Sequence, residues 1–152
     1  MLVNRNFSLK SYNTFAIEAF AEYFACPGSD DEIAELLNLP EYKNTKKLIL
    51  GGGSNMLFTK NFDGLVIHPV NKGISIVSDS KNEVLVKANA GENWDEFVDW
   101  TVNHRFGGLE NLSLIPGTVG ACPIQNIGAY GVEVGDLIDK IETIEIASGE
   151  KM

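Results

Sequence analysis

Three consecutive glycines, Gly51, Gly52 and Gly53, followed by Ser54 and Asn55, close a short apolar run at residues 47–50. A buried strand that breaks into such a turn points successive backbone N–H groups at one spot, a nest of partial positive charge that suits phosphate. The turn is not a P-loop, because no Gly-Lys-Ser/Thr follows, and it is not the fingerprint G-x-G-x-x-G, because Met56 stands where the third glycine belongs. A second stretch, residues 111–132, holds no Asp, Glu, Lys or Arg in a chain that is 22% charged. Pro116, Pro123, Gly117, Gly120, Gly128 and Gly131 interrupt any continuous helix there, and Gln125 and Asn126 would be costly in lipid, which excludes a membrane span. So little charge predicts a buried segment whose backbone groups need partners that helix or sheet cannot supply, and a bound ligand could supply them. Pro116–Gly117 fits the centre of a type II turn, and Gly120, Gly128 and Gly131 lack the Cβ that would hold another molecule off the backbone. One such loop alone would equally suit a tight structural turn with ordered water. Two of them, neither carrying Lys or Arg, predict a pyrophosphate held mainly by main-chain donors.

Other residue types with chemical potential are read as structural. Cys26 and Cys122 form neither a disulfide framework nor a metal site, so both are expected as free thiols in a reducing compartment. Cys122, inside the second loop, is read as a small apolar filler, with a redox-active thiol as the alternative. His68 and His104 have no ligand partners near them in sequence, and no metal is expected. Trp94 could stack on a planar ring, but its spacing with Phe97, Val98 and Thr101 assigns it to a core. Lys43, Lys46 and Lys47 read as a solvated strand entry. A net charge of −9 and a pI near 4.6 argue against nucleic acid as a partner. Residues 1–10 mix Asn4, Arg5, Asn6 and Ser8 with apolar side chains, unlike a signal peptide, and a cytoplasmic location is expected.

The elements that must position these loops follow in order. After a polar start, residues 21–26 read as a strand ended by Pro27–Gly28. Ser29 with Glu32 forms a capping box for a short helix striped by Ile33, Leu36 and Leu37, which stops before Pro40. Strands at 47–50 and 65–68 complete a small α/β lobe, expected over residues 1–70. Residues 74–77 and 83–88 predict a hairpin. Asn93 as N-cap with Glu96 at N3 opens a helix that Gly107–Gly108 end. Ile141, Ile144 and Ile146 predict a strand over 137–147, turned by Ser148–Gly149 toward a partner beginning near Met152. Such a strand would expose an edge able to pair with another chain, or mark a piece of a longer protein.

Several motifs occur together in this order: Asn13-Thr14-Phe15; Ile49-Leu50-Gly51-Gly52-Gly53-Ser54-Asn55-Met56-Leu57-Phe58; Ala90-Gly91-Glu92-Asn93-Trp94; Gly108-Leu109-Glu110-Asn111-Leu112; Ile115-Pro116-Gly117-Thr118-Val119-Gly120; and Pro123-Ile124-Gln125-Asn126-Ile127-Gly128-Ala129-Tyr130-Gly131. With them the chain resembles the N-terminal part of the UDP-N-acetylenolpyruvoylglucosamine reductase family over about residues 13–150. The resemblance implies an α+β, FAD-binding fold of the vanillyl-alcohol-oxidase type. Its parts would be a small α/β lobe and a second, mostly antiparallel sheet lobe with helices at 71–152, with the substrate-binding domain absent from this chain. It implies FAD as cofactor, NADPH as hydride donor and a UDP-sugar, UDP-N-acetylglucosamine enolpyruvate, as the substrate reduced in peptidoglycan precursor synthesis. The matching positions carry over as cofactor contacts only: Gly51, Gly52, Gly53, Ser54 and Asn55 toward the pyrophosphate. Pro116, Gly117, Thr118, Gly120, Ala121, Gln125, Asn126, Gly128, Ala129 and Tyr130 would follow FAD toward its isoalloxazine ring. Tyr130 could also line the substrate pocket. The family's Tyr-Arg-Asp-Ser motif, its proton-donor Ser and its Glu do not occur in these residues, so no catalytic residue is assigned. The chain alone is expected to bind FAD weakly or not at all and not to turn over. Another flavin oxidase or dehydrogenase of the same fold would keep both loops, and a non-catalytic nucleotide-binding module would need only the amide nests.

Overall fold

The structure, a computed structural model, describes residues 2–152. It divides into two compact units, one running to Val70 and including Glu142–Met152, the other Asn71–Ile141. Residues 142–152, read from the sequence as the end of the second lobe, thus pack with the first.

The first unit is built on a sheet with strand order β1-β2-β4-β3, where β1 is Val3–Ser8, β2 Phe20–Ala25, β3 Lys47–Ile49 and β4 Phe62–Ile67. β1 runs antiparallel to β2, while β2 and β3 both run parallel to β4. Parallel strands need cover on both faces, and Leu65-Val66-Ile67 meets that need by alternating between two cores. Val66 joins Leu9, Ala21, Phe24, Leu50 and Phe58 on one face. Leu65 and Ile67 join Leu36, Leu37 and Tyr42 on the other, under helix α1 (Asp30–Asn38). The strand β1 was not legible as one. Asn6 takes φ +46°, and the β2–β4 register shifts between Ala21 and Tyr23, so Val3 packs with the α1 core and Phe7 with the opposite one. A strand that changes faces midway loses the period-2 pattern that announces strands.

Ser29 caps α1 as expected, its Oγ accepting from Glu32 N at 3.2 Å. The return half of the box is displaced by one residue: Glu32 Oε2 accepts from Gly28 N at 2.7 Å rather than from the cap itself. Lys47 is not a free cation, since its ammonium donates to the Tyr42, Lys43 and Thr45 carbonyls at 2.9–3.1 Å. At the far end, the strand expected over 137–147 does not form. Only an Ile144–Lys151 bridge, flanked by Thr143–Met152 and Glu145–Glu150 backbone bonds, closes a short turn in which Gly149 takes φ +74°. Lys151 then reaches Asp30 at 3.3 Å, anchoring that turn on the start of α1.

In the second unit the predicted hairpin is β5 (Ile74–Asp79) with β6 (Val84–Ala88), and the predicted helix is α2 (Trp94–Asn103). Asn93 Oδ1 accepts from Glu96 N at 3.1 Å, and Trp94, Phe97, Val98 and Thr101 are all buried. Gly107–Gly108 do not end the helix. Arg105 does, at φ +61°, with Phe106 N donating to Thr101 O and Arg105 N to Val102 O, the bond pair of a Schellman motif with arginine in the usual glycine place. Helix α3 (Cys122–Gln125) and the two-residue strands β7 (Gly128–Ala129) and β8 (Val132–Glu133) complete the unit.

Candidate functional site

In the first unit the triglycine turn leaves the sheet at the C-terminal end of β3, where β2 and β4 also end, the edge at which parallel α/β sheets receive ligands. Leu50 N still bonds Ile67 O at 2.8 Å. After it, among the described residues, no protein acceptor meets the amides of Gly51, Gly52 or Gly53. Three successive unbonded donors, with Gly53 buried and Gly51 half-buried, make a site that calls for an anion or water. Gly53 takes φ +68°, and a Cβ on it would overlap the Tyr12 carbonyl oxygen, so glycine is required there by the protein's own packing. Ser54 and Asn55 follow half-buried and exposed. A shallow concavity lined by Arg5, Tyr23 and Asp63 sits toward the N-terminal ends of β2 and β4 and includes none of the predicted residues.

In the second unit the uncharged segment is not buried as expected. Leu114, Ile124 and Tyr130 are 84%, 86% and 90% exposed. Part of its backbone is already satisfied by the protein. Trp94 N donates to Gly117 O, Val119 N to Glu92 O and Gly120 N to Ala90 O, so residues 90–94 form a strap that holds 117–120 by its main chain. A Cβ on Gly120 would sit 2.7 Å from Ala90 Cβ, so this glycine serves the strap rather than a visitor. Ala121 lies in a 3-10 turn and Pro123 in the first turn of α3, where its missing N–H costs nothing. Asn126 ends α3 in the left-handed region at φ +42°, and its side chain donates to Glu133 Oε2 at 2.7 Å and accepts from Gly135 N at 3.0 Å. Tyr130 and Gly131, at φ +53° and +79°, are the two central residues of the β7–β8 turn, the pattern of a type I′ hairpin. Gly117, at φ +142° with open space where a Cβ would stand, has the positive φ foreseen for it. Pro116 and Gln125 are both held by further interactions, and Thr118 pairs with Asn93 across a β-bridge.

Cys122 is buried in the core of this unit, and burial pushes its thiol up to about 11, which disfavours the reactive thiolate and fits the reading as an apolar filler. Trp94 is 2% exposed, with its indole N–H donating to Leu112 O at 2.8 Å, and has no face left for stacking. His68 and His104 are both structural: each ring Nδ1 lies 2.8 Å from a carbonyl, of Leu50 and Trp100 respectively. Among the described residues no group of His, Cys, Asp and Glu could hold a metal. No helix among them is long and apolar enough to cross a membrane. Sequence reading gave no role to Asn13 and, within residues 90–94, foresaw only the helix start at Asn93 and the core Trp94; the main-chain bonds from 90–94 to 117–120 were not foreseen.

A mixed α+β fold with an amide nest at the end of a parallel sheet is the architecture of a dinucleotide-holding domain. The chain belongs to the FAD binding domain family, whose profile matches residues 21–151. It is 52% identical over 150 residues to a UDP-N-acetylenolpyruvoylglucosamine reductase of Flavobacterium johnsoniae, covering 99% of this chain and 44% of that protein. It is 47% identical over 142 residues to one of Pseudomonas aeruginosa, covering 93% of this chain and 42% of the relative. The crystal structure of a UDP-N-acetylenolpyruvylglucosamine reductase from Thermus caldophilus matches with a TM-score of 0.77 at 22% identity, over all of this chain and 52% of that one, and shows the shared fold. The chain thus spans about half the length, or less, of the proteins it matches.

Proposed function

We propose that this chain is the flavin-holding part of a UDP-N-acetylenolpyruvoylglucosamine reductase, with the amides of Gly51, Gly52 and Gly53, aided by Ser54 and Asn55, receiving the pyrophosphate of FAD. The observation that carries this is the run of three unbonded amides at the C-terminal edge of the parallel strands. The charge on a pyrophosphate is well matched by such donors even though no Lys or Arg stands in the turn. Further along the same cofactor we place Pro116, Gly117, Thr118, Ala121, Gln125, Gly128, Ala129 and Tyr130, while Gly120 and Asn126 act by fixing that loop's backbone.

Bound FAD would supply hydride transfer, from NADPH to the enolpyruvyl double bond of UDP-N-acetylglucosamine enolpyruvate, a step of peptidoglycan precursor synthesis carried out in the cytoplasm. The residues of this chain bind and orient the cofactor; none is assigned as proton donor or as a cation for the substrate carboxylate. The chain on its own is therefore expected not to turn over.

The test is a thermal melt and a visible absorption spectrum of the purified chain with FAD, and with ADP as comparison. At 100 times Kd, bound FAD stabilises by about 2.7 kcal/mol, a readable rise in Tm. A rise with ADP equal to that with FAD, and no perturbed flavin band, would replace this reading with a plain nucleotide-binding module. No rise with either would end it.

A further inference from the structure

We infer that Asn13 is a positioning residue for the triglycine nest, acting through a clamp that holds both ends of the turn; the inference rests on the proposal that this nest receives a pyrophosphate. Asn13 is 6% exposed and uses both ends of its amide. Its Nδ2 donates to Leu9 O at 2.8 Å and to Ile17 O at 3.1 Å, and its Oδ1 accepts from Ile17 N at 3.0 Å. With Leu9 N bonded to Ala19 O at 2.8 Å and Ala16 N to Asn13 O at 3.0 Å, residues 9–19 become a closed loop with Asn13 at its hub. Nothing in this arrangement is offered to a ligand. Thr14 and Phe15, the neighbours in the same motif, are exposed.

What the hub fixes is the floor of the nest. The backbone on either side of Asn13 touches the last glycine twice: the Tyr12 carbonyl lies where a Gly53 Cβ would be, and Thr14 N donates to Gly53 O at 3.4 Å. The other end of the turn is reached through Tyr12 as well. Its ring is wedged edge-on among Phe7, Phe24 and His68, with centroids 5.7, 4.7 and 5.1 Å away. His68 in turn places Nδ1 2.8 Å from Leu50 O, and since a carbonyl can only accept, that nitrogen carries the proton. Leu50 precedes the three free amides and Gly53 ends them. Both are therefore tied to one hydrogen-bonded piece, which would spare the ligand the cost of ordering the turn, the way preorganisation raises affinity.

The experiment is an amide-resolved NMR titration of the full 152-residue chain with FAD, comparing wild type with Asn13→Ala and Asn13→Asp. Asn13→Ala removes all three bonds. It is expected to weaken FAD binding about tenfold or more, the equilibrium equivalent of losing roughly one well-made hydrogen bond's worth of ordering. It should also move the Gly53 and Thr14 amide resonances of the free chain. Asn13→Asp retains an acceptor for Ile17 N but turns a buried carboxylate oxygen toward the Leu9 and Ile17 carbonyls, acceptor against acceptor, and should weaken binding at least as much as Asn13→Ala. Binding as tight as wild type in either folded variant overturns the inference. If Asn13→Ala does not fold, Asn13→Ser, whose hydroxyl keeps one donor and one acceptor at the site, decides in its place. If wild type shows no FAD response, the functional proposal fails separately, and the clamp is then judged on the free chain: unmoved Gly53 and Thr14 resonances in the variants would refute it.

Discussion

The two glycine-rich loops look alike in sequence and are built to opposite ends. Residues 51–53 leave three amides in a row without a protein acceptor, at the edge of a sheet covered on both faces. In the second loop the amides of Val119, Gly120, Ala121, Asn126 and Ile127 all find carbonyls nearby. Glycine is needed in both places by the protein's own packing: Gly53 clears the Tyr12 carbonyl. At Gly120 it admits Ala90, and at Gly131 it permits the left-handed turn of a hairpin. A glycine-rich, charge-poor sequence therefore marks where a backbone is unusual. Only the destination of each N–H separates a binding nest from a self-satisfied fold.

That comparison can be broken or sharpened by substitution. The largest effect is expected at Gly53→Ala, where a positive φ coincides with overlap on the Tyr12 carbonyl; a loss of more than about 3 kcal/mol in urea denaturation is expected. Gly117→Ala, with positive φ but open space, should cost only about 1 kcal/mol. A reversed order would mean that the first loop, not the second, is the adaptable one. Next is Gly120→Ala, which should cost about 1–3 kcal/mol by overpacking on Ala90. Much of that loss should return in the Ala90→Gly double variant, since the two positions are in contact and couple. Asn126→Gly keeps the left-handed cap but loses the Glu133 and Gly135 bonds, for about 1 kcal/mol at this exposed site.

A further effect, absent at neutral pH, is a pH dependence. The Cys122 thiol holds its proton up to about 11 in the folded chain, against an ordinary 9.0. Its contribution is fully present below pH 9 and is lost as pH rises toward 11, because the unfolded chain releases that proton first. Tm followed from pH 8 to 11 should fall less steeply in Cys122→Ala than in wild type.

How far the sequence could be read depended on whether a local rule was left undisturbed. The α2 stripe, its Asn93 cap and the β5–β6 hairpin obey local periodicity, and all three stand where the sequence places them. The strand β1 was hidden because Asn6 turns it from one core to the other. The end of α2 was missed because Arg105 occupies a left-handed position for which glycine is the expected signal. The expected strand over 137–147 is reduced to one bridge beside a tight turn, since its isoleucines carry β propensity but propensity supplies no neighbouring strand. The turn with unbonded amides was legible from Gly51, Gly52 and Gly53 themselves. The strap of residues 90–94 and the Asn13 hub were not, because both act through carbonyls and amides that every residue type carries.

The most direct test is amide hydrogen exchange, resolved by residue, on the chain with and without saturating FAD. The account predicts fast exchange at Gly51, Gly52 and Gly53 in the free chain, slowed when FAD is added, and slow exchange at Val119 and Gly120 in both states. Glycine amides at 51–53 that are already protected, or that FAD leaves unchanged, would contradict it.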